Sequence, residues 1–326
     1  MDDLVTICIP TYRRPTLLLH CLHSCLLQDY RPLEIDISDN SPDDETRDLV
    51  NSVIPPAGIT VRYWRNEPSL GPVGNQQRLF ASARGRRFIY MNDDDVLLPG
   101  AATAMASAFA LAPDVVIAYG REQIINSAGE VQPALTEAAN IAAGRVPQSA
   151  GLRRNLLIAA LNLEISHIGF MVLTEAARTV GIRSRKEVGL ASDTDFVIRL
   201  GLTYRGAAHV SLDRMTFQTR QANSTLSQTE PDVCWKLYDI VAALQDLSPE
   251  EARARSTLLR KIAPLTLREH CLAFRRRQAL RVLLSRTFPH DRGMLTSAYS
   301  VGIILVPWLA YALRNMALRR LTRAAA

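Results

Sequence analysis

Three adjacent aspartates, Asp93, Asp94 and Asp95, follow the apolar segment RFIYMN at residues 87–92. We call them the acidic run. Neighbouring carboxylates repel each other, so the acidic run needs a counter-charge or open solvent. Asp93 and Asp95 bracket a single residue, and two carboxylates in this spacing suit a hard divalent cation, Mn²⁺ or Mg²⁺. The alternative is an acidic turn that caps a helix beginning near Pro99. The residues alone leave both interpretations open.

Other phosphate-binding and metal-binding motifs are missing from the sequence. There is no G-x-x-x-x-G-K-[ST], and no G-x-G-x-x-G follows the first apolar segment, which disfavours P-loop and dinucleotide sites. The segment HCLHSC at residues 20–25 contains four possible zinc ligands, but no second ligand pair stands at finger-like spacing. Cys21 and Cys25 fall on one apolar helix face, so we interpret them as small core residues.

The segments that must position the acidic run alternate between strands and helices. Apolar runs predict strands at 4–10, 33–41, 60–66 and 87–93, and helical periodicity predicts helices at 15–29, 43–54 and 73–85. This alternation is typical of an α/β fold with an open, mostly parallel sheet. Ligands of such sheets bind outside the carboxyl ends of the strands. Polar clusters follow three of the predicted strands, at 11–13, 39–41 and 93–95, so we expect them to converge on one rim.

The middle of the chain gives weaker patterns. We predict a helix and a strand within 99–120, helices at 151–162, 174–181 and 192–202, and a strand at 167–173.

Composition and charge restrict the class of protein. The chain has 326 residues, of which 48% are hydrophobic, and its five cysteines are unevenly spaced, which disfavours a disulfide framework. The acidic start MDDLV does not resemble a secretory segment, so we expect a cytoplasmic protein. The net charge of +6 comes from the C-terminal part, because 15 Lys and Arg stand against 4 Asp and Glu from Glu250 onward. Such a basic segment meets nucleic acid or an anionic membrane.

The C-terminal part favours the membrane over nucleic acid. Few aromatic residues separate its arginines, and no nucleic-acid recognition motif is present. Residues 293–313 contain no charged side chain, and residues 268–286 have the pattern of a basic amphipathic helix. We therefore predict an association, peripheral or through a C-terminal anchor, with the inner face of the plasma membrane. The alternative is an ordinary helical region with solvated arginines.

Four ordered segments together resemble the family 2 glycosyltransferases. They are VTICIPTYRRPTLLLHCLHSCLLQD, EIDISDNSPDDET, NEPSLGPVGNQQRLFASARGRRFIYMNDDDVLLPGA and VGIRSRKEVGLASDTDFVIRL, within residues 4–227. The resemblance implies a GT-A fold, an inverting and metal-dependent reaction, and a nucleotide-diphospho-sugar donor linked to UDP, GDP or dTDP. It implies a catalytic domain, which we place at 1–230, and the charge and helical pattern of the remaining chain predict a basic helical appendage at 231–326.

The resemblance also implies roles for individual residues. The aspartate of SDTDF that begins the predicted helix, Asp193, is implied as the general base, and Arg199 as an ion pair that supports this motif. Asp95, together with Asp93, is implied as the metal ligand. The residues implied on the nucleotide-sugar side are Pro10, Thr11, Arg13, Asp39, Asn75, Asp93 and Asp94, and those on the acceptor or diphosphate side are Asp195, Arg220 and Ser224. Asp94 is expected to support mainly the turn, and Asn75 has an alternative role as the N-cap of the third helix.

Two positions depart from the pattern of the family. Ser192 stands where the family usually has a glutamate, and Ala222 stands where a histidine is frequent. These departures would fit a catalytically inactive module that binds a sugar nucleotide or a glycan. The main hypothesis is an enzyme that transfers a sugar to a saccharide acceptor, which can be lipid-linked, in polysaccharide or glycoconjugate biosynthesis.

Overall fold

The strands form one mixed sheet. The computed structural model describes residues 3–220 and 233–289, and within these ranges nine strands are hydrogen-bonded in the order β3-β2-β1-β4-β8-β6-β9-β5, with β7 beside another part of β9. The strands are β1 (Val5–Thr11), β2 (Leu33–Asp39), β3 (Ile59–Arg65), β4 (Arg87–Tyr90), β5 (Val96–Leu97), β6 (Val115–Ile125), β7 (Gly151–Arg154), β8 (Phe170–Leu173) and β9 (Ala208–Arg220).

Helices connect the strands and continue beyond them. They are α1 (Pro15–Leu26), α2 (Glu45–Ser52), α3 (Gly71–Ser82), α4 (Ala101–Ala108), α5 (Pro133–Ala142), α6 (Leu156–Leu161), α7 (Thr174–Val180), α8 (Arg185–Val188), α9 (Ser192–Thr203), α10 (Val233–Ala242), α11 (Pro249–Leu272) and α12 (Arg276–Leu283). The chain divides into two compact units, one of residues 1–185 and 192–223 and one of residues 186–191 and 224–326. The predicted domain boundary at residue 230 lies outside the described residues.

Strands β1 to β4 form the parallel part of the sheet. β1 pairs in parallel with β2 and β4, and β2 pairs in parallel with β3. All seven residues of β2 are buried, as expected for a strand covered on both faces. Beyond β4 the sheet becomes mixed, because β8 runs antiparallel between β4 and β6. The predicted fold class, an α/β sheet flanked by helices with a helical C-terminal appendage, is confirmed.

Two predicted helices are wrong in part. Residues 151–162 form strand β7 and then helix α6, because β7 pairs antiparallel with β9. Asn155 ends the strand with a left-handed φ of 68°, and its side chain accepts a hydrogen bond from the backbone N–H of Ile158 at 3.2 Å. Residues 268–286 likewise contain a break between α11 and α12, where Phe274 has a φ of 55°. The side-chain cap of Asn155 starts a new helix within 151–162, and the left-handed Phe274 ends a helix within 268–286.

The unit that contains α10 to α12 has its own hydrogen-bonded framework. Glu269 of α11 accepts hydrogen bonds from the backbone N–H groups of Trp235, at 2.8 Å, and Cys234, at 3.3 Å.

In residues 3–220 and 233–289 we find no helix with the length and apolar character needed to span a membrane. The uncharged segment 293–313, which prompted the membrane prediction, lies outside the described residues.

Buried ion pairs and a close helix contact fix the position of α9. The Asp195 carboxylate is fully buried between two guanidinium groups, with its Oδ2 at 2.9 Å from Arg183 Nε and at 2.8 Å from Arg199 Nε. Arg199 also donates to the carbonyl oxygens of Val180 and Gly181. The ion pair predicted for Arg199 is therefore present. The arrangement holds the first turn of α9, and with it Asp193, against the chain that follows α7.

We expect Gly201→Ala to destabilise the protein, because a methyl group on Gly201 of α9 would lie 2.6 Å from Leu157 Cα of α6. Overpacking of this kind costs about 1–3 kcal/mol. Gly206→Ala is the matched control, since a methyl group there meets no atom within 4 Å. Urea unfolding should show a lower free energy of unfolding for Gly201→Ala alone. Equal stabilities of the two variants would contradict the tight packing of α9 on α6.

Candidate functional site

The loops that follow β1, β2 and β4 meet at one rim of the sheet. Thr11 Oγ1 donates a hydrogen bond of 2.7 Å to Asp93 Oδ2. The backbone N–H of Asn40 donates to the Thr11 carbonyl oxygen at 3.0 Å, and the backbone N–H of Arg13 donates to Ser41 Oγ at 2.8 Å. These bonds connect all three polar clusters, so the predicted convergence is confirmed. Pro10 is the half-buried residue of β1 that precedes Thr11.

The loop between β1 and α1 has a constrained backbone. Arg13 has a φ of 54°, a left-handed conformation that residues other than glycine rarely adopt. Its guanidinium carbon lies 5.3 Å from the centre of the Tyr12 ring, and the side chains of both residues are exposed. Such strain persists only where the surroundings hold it in place, here through the bond to Ser41. The loop therefore presents Arg13 at the rim.

Arg14 provides a counter-charge for two members of the acidic run, Asp93 and Asp94. Its Nη1 lies 3.3 Å from Asp93 Oδ1 and 3.0 Å from Asp94 Oδ2. The exposed fraction of the side chain is 31% for Arg14, 7% for Asp93 and 18% for Asp94. Sequence reasoning missed Arg14, although its place directly after Arg13 in TYRRP was a signal. Asp94, assigned to the turn from sequence, shares this arginine with Asp93.

Burial and neighbouring charge perturb the acidic run. Burial is the main reason that the pKa of Asp93 rises to about 6, and the charge of Asp94 adds to this rise. The bonds from Thr11 and Arg14 act in the opposite direction. A hydrogen bond with Cys25, burial, and the charges of Asp95 and Asp93 together raise the pKa of the Cys21 thiol. Both carboxylates therefore lie close to the same buried residue of α1, and Cys21 belongs to the core, as predicted.

The acidic run has donors that suit a divalent cation completed by a ligand. Among residues 3–220 and 233–289, no group of three or more His, Cys, Asp and Glu side chains could hold a metal. Asp95 is buried beside Asp93, and carboxylate oxygens are the ligands that Mg²⁺ and Mn²⁺ prefer. Mg²⁺ usually takes one or two protein carboxylates and fills the other positions with phosphate and water. The residues present fit that kind of site rather than an all-protein cage.

Asp39 organises the end of β2. The carboxylate is fully buried; Oδ1 accepts from the backbone N–H of Ser41 at 2.7 Å, and Oδ2 accepts from the Tyr63 hydroxyl at 2.8 Å. Burial and the bond to Asp39 raise the pKa of Tyr63. Asp39 therefore lies at the rim with both oxygens already accepting hydrogen bonds.

A buried amide cluster lies behind the rim. Asn66 Nδ2 donates to Ser38 Oγ and Asn40 Oδ1, both at 3.0 Å, and to Asn75 Oδ1 at 3.2 Å. Asn75 Nδ2 in turn donates to the Thr11 carbonyl oxygen at 3.4 Å. The alternative role of Asn75 as a helix N-cap is wrong, because α3 begins at Gly71 and Leu70 precedes it as the cap. Sequence reasoning missed Asn40 and Asn66, which bridge β2 and α3.

Asp193 stands at the start of α9 with a neutral partner. Gln76 Nε2 of α3 donates to Asp193 Oδ1 at 2.9 Å. Burial raises the pKa of Asp193, while the charge of His167 and the bond from Gln76 oppose the rise. Burial and the charges of Asp193, Cys8 and Asp93 raise the pKa of Tyr90. Asn75, next to Gln76 on α3, donates to the Thr11 carbonyl oxygen at the rim, so α3 connects Asp193 to the loops that hold the acidic run. Sequence reasoning missed Gln76 and His167.

Asp195, Arg220 and Ser224 are the remaining predicted site residues. Asp195, which the resemblance placed on the acceptor or diphosphate side, forms the buried ion pairs that hold α9. Arg220 is the last residue of β9. Its side chain and the whole of Ser224 lie outside the part of the chain that the structure describes.

The family model called Glycosyl transferase family 2 matches residues 6–177, which is more than half of the chain. Two curated proteins are similar over shorter stretches. The uncharacterized protein MT1568 of Mycobacterium tuberculosis is 31% identical over 121 residues, which is 37% of each chain. The GalNAc(5)-diNAcBac-PP-undecaprenol beta-1,3-glucosyltransferase of Campylobacter jejuni is 30% identical over 102 residues, or 31% of this chain and 33% of the relative. The chain thus spans about a third of the length of these relatives in the matches.

Solved structures share the fold at low sequence identity. TarS residues 1–349 of S. aureus, in complex with UDP, gives a TM-score of 0.62 at 14% identity and covers 95% of this chain and 91% of TarS 1–349. The mannosyltransferase PcManGT of Pyrobaculum calidifontis, in complex with GDP-Man and Mn²⁺, gives a TM-score of 0.56 at 14% identity over 96% of this chain and 87% of its own. These likenesses show a common fold.

Carbon-13 NMR of the metal-free protein should give Asp93 a titration midpoint of about 6. Asp94→Asn should lower this pKa, because it removes a like charge, and Arg14→Gln should raise it, because it removes a cation. Since the folded pKa exceeds the unfolded value of 3.8, this group stabilises the protein most below pH 3.8, and the contribution is lost as the pH rises through about 6.

The pKa of Asp36 also rises to about 6 through burial, so Asp93→Asn is needed to assign the signal. Asp48→Asn on α2 is the control, since Asp48 is exposed and pairs with Arg47. A midpoint for Asp93 that responds to neither Arg14→Gln nor Asp94→Asn would show that the ion pairs at the rim do not form in solution.

Proposed function

The chain belongs to glycosyl transferase family 2, and we propose that it is an inverting glycosyltransferase that moves a sugar from a nucleotide-diphospho-sugar to a saccharide acceptor. The observation that carries this proposal is the position of Asp193. Its carboxylate accepts a hydrogen bond from Gln76 of α3, and the adjacent Asn75 donates to the carbonyl oxygen of Thr11, the residue that bonds Asp93 at the rim. A base and a set of carboxylates suited to a metal diphosphate are the two parts that such a transfer needs.

Asp193 acts as the general base in this proposal. A base is most effective when its pKa lies nearer the working pH, and burial raises the pKa of Asp193 in that direction. The hydrogen bond from Gln76 to Oδ1 fixes the orientation of the carboxylate. Asp193 takes the proton of the acceptor hydroxyl, which attacks from the face opposite the leaving group. The anomeric configuration inverts, so an α-linked donor gives a β-linkage.

Asp93 and Asp95 would hold a divalent cation, Mn²⁺ or Mg²⁺, together with the donor diphosphate. When bound, such a cation stabilises the negative charge that develops on the departing nucleoside diphosphate. The Mn²⁺ and GDP-Man bound to PcManGT support this part of the proposal. Thr11 holds one oxygen of Asp93, and the exposed Arg13 provides a positive charge on the adjacent loop. Thr11 and Arg13, with Pro10, Asp39, Asn75 and Asp94, would form the nucleotide-sugar side.

We extend the proposal to the partners. UDP-, GDP- and dTDP-linked sugars are the candidate donors, and the undecaprenol-linked acceptor in the name of the Campylobacter relative supports a lipid-linked saccharide acceptor. The exposed side of α12 supports association with an anionic membrane, the inner leaflet of the plasma membrane. Leu280 and Leu284 are exposed beside the exposed Arg277 and Arg281, a pattern suited to a headgroup surface.

The alternative of a catalytically inactive binding module is not favoured. It depended on Ser192, which stands where the family usually has a glutamate, and on Ala222, which lies outside the described residues. Ser192 is a buried residue in the first turn of α9, and Asp193 next to it is held by Gln76 from another helix. The orientation of Asp193 therefore does not require a charged residue at position 192.

Asp193→Asn should lower the rate of sugar transfer by about 100-fold or more, which is the usual loss when a general base is removed. Transfer from radiolabelled UDP- and GDP-sugars to lipid-linked saccharides in the presence of Mn²⁺ measures this rate. Binding of the nucleotide, followed by its effect on melting temperature, should remain. Transfer at the wild-type rate by Asp193→Asn would exclude Asp193 as the base.

The pH–rate profile tests the same residue more finely. Activity should fall as the pH drops through the raised pKa of Asp193, because only the carboxylate accepts a proton. Gln76→Ala removes a bond that lowers this pKa, so it should move the acid limb to higher pH. Gln77→Ala is the matched control, since Gln77 Nε2 donates to the carbonyl oxygen of Ile182, at 2.8 Å, and is not bonded to Asp193. An acid limb that moves equally in both variants would point to a general effect on α3.

A thermal-shift screen of nucleoside diphosphates with and without Mn²⁺ should identify the donor class, because a ligand of the native state raises the melting temperature. The productive nucleotide should give its full shift only with Mn²⁺. Asp95→Asn should abolish the part of the shift that depends on Mn²⁺ while leaving the ligand-free melting temperature within a few degrees. Asp48→Asn, which removes one charge on exposed α2, should behave as the wild type. Metal-independent shifts for every nucleotide would contradict the assignment.

A further inference from the structure

One guanidinium group bridges two carboxylates of the acidic run. Arg14 Nη1 lies within 3.3 Å of an oxygen of Asp93 and at 3.0 Å from an oxygen of Asp94. Arg14 is the residue before the first turn of α1, where Pro15 fixes the backbone. The guanidinium is thus delivered to the acidic run by a backbone position that is itself held in place.

Arg14 and a divalent cation neutralise the same charge. The positive charge of Arg14 stabilises Asp93 and Asp94 in the ligand-free protein. A cation that binds Asp93 must therefore compete with this ion pair and is repelled by the guanidinium at short range. The guanidinium group of Arg13, the residue before Arg14, lies instead over the Tyr12 ring.

We propose that Arg14 is an internal counter-ion of the acidic run, which weakens the binding of the free cation and couples cation binding to the arrival of the donor diphosphate. The side chain of Arg14 is 31% exposed, so the guanidinium has room to turn outward. A diphosphate at the rim provides it with a new anionic partner, because guanidinium groups bind phosphate oxygens well. Metal and donor then bind together, and Arg14 is a positioning residue of the complex. This inference rests on the proposed metal-dependent function.

The test measures the affinity of the full-length protein for Mn²⁺, with free Mn²⁺ followed by electron paramagnetic resonance. Without nucleotide, Arg14→Gln should bind Mn²⁺ about three- to tenfold more tightly than the wild type, the factor expected for removal of two partly exposed ion pairs. Arg14→Lys keeps the charge and should remain close to the wild type. Arg13→Gln, the matched control, removes the same charge one residue away and should change the affinity less than twofold.

The same titration with the stabilising nucleoside diphosphate, UDP or GDP, tests the coupling. In the wild type the nucleotide should strengthen Mn²⁺ binding by a larger factor than in Arg14→Gln, because coupling between two ligands is reciprocal and Arg14 carries part of it. Melting curves show whether each variant is folded. Arg14→Met, which keeps the aliphatic stem without the charge, replaces Arg14→Gln if the latter is unfolded.

The outcomes separate the inference from the proposed function. If the wild type binds Mn²⁺ with a nucleoside diphosphate, but folded Arg14→Gln or Arg14→Met binds free Mn²⁺ no more tightly than the wild type, the counter-ion role of Arg14 is wrong and the proposed function stands. An equal gain in Arg13→Gln also overturns it, since the effect is then one of net charge. If no nucleoside diphosphate promotes Mn²⁺ binding to the wild type, the metal-dependent function itself fails.

Discussion

The constraint on which the rim depends is the cost of holding carboxylates out of water. Parallel pairing of β1, β2 and β4 brings the carboxylates of Asp39 and Asp93 to one buried edge. Each of them must be compensated by nearby donors, because an uncompensated buried charge costs several kcal/mol or takes up a proton. Thr11, Ser41 and Tyr63 supply these donors from three different loops and strands. The need to compensate the buried carboxylates therefore determines which hydrogen bonds join the loops.

The type of partner distinguishes the carboxylates of this protein. Asp195 lies between two guanidinium groups and acts as an anchor for α9. Asp193, two residues earlier, has a neutral amide as its hydrogen-bonding partner, and burial raises its pKa. Two guanidinium groups engage Asp195 as an anchor, whereas the Gln76 amide orients the Asp193 carboxylate. Two aspartates on one helix turn can therefore have different roles.

Local patterns were sufficient to predict the parallel half of the sheet and the loops that meet at its rim. Apolar β-branched segments followed by polar residues mark the ends of β1, β2 and β4, and periodicity marks α9. Partners from distant parts of the chain could not be predicted in this way. Gln76 and Asp193 are 117 residues apart, and Arg14 and Asp93 are 79 apart. Strand β7 was missed because residues 151–162 have the pattern of one helix. The left-handed backbone of Asn155, which separates β7 from α6, is seen only in the folded chain.

The left-handed backbone at Arg13 has a consequence for engineering. A residue other than glycine in this conformation carries a strain of about 1 kcal/mol or more, so glycine would relieve it. Position 13 is thus a place where thermostability can be gained. The same substitution would remove a positive charge from the rim. Substitutions that relieve strain at a functional site often increase stability at the expense of activity. A design that optimised stability alone would favour that change.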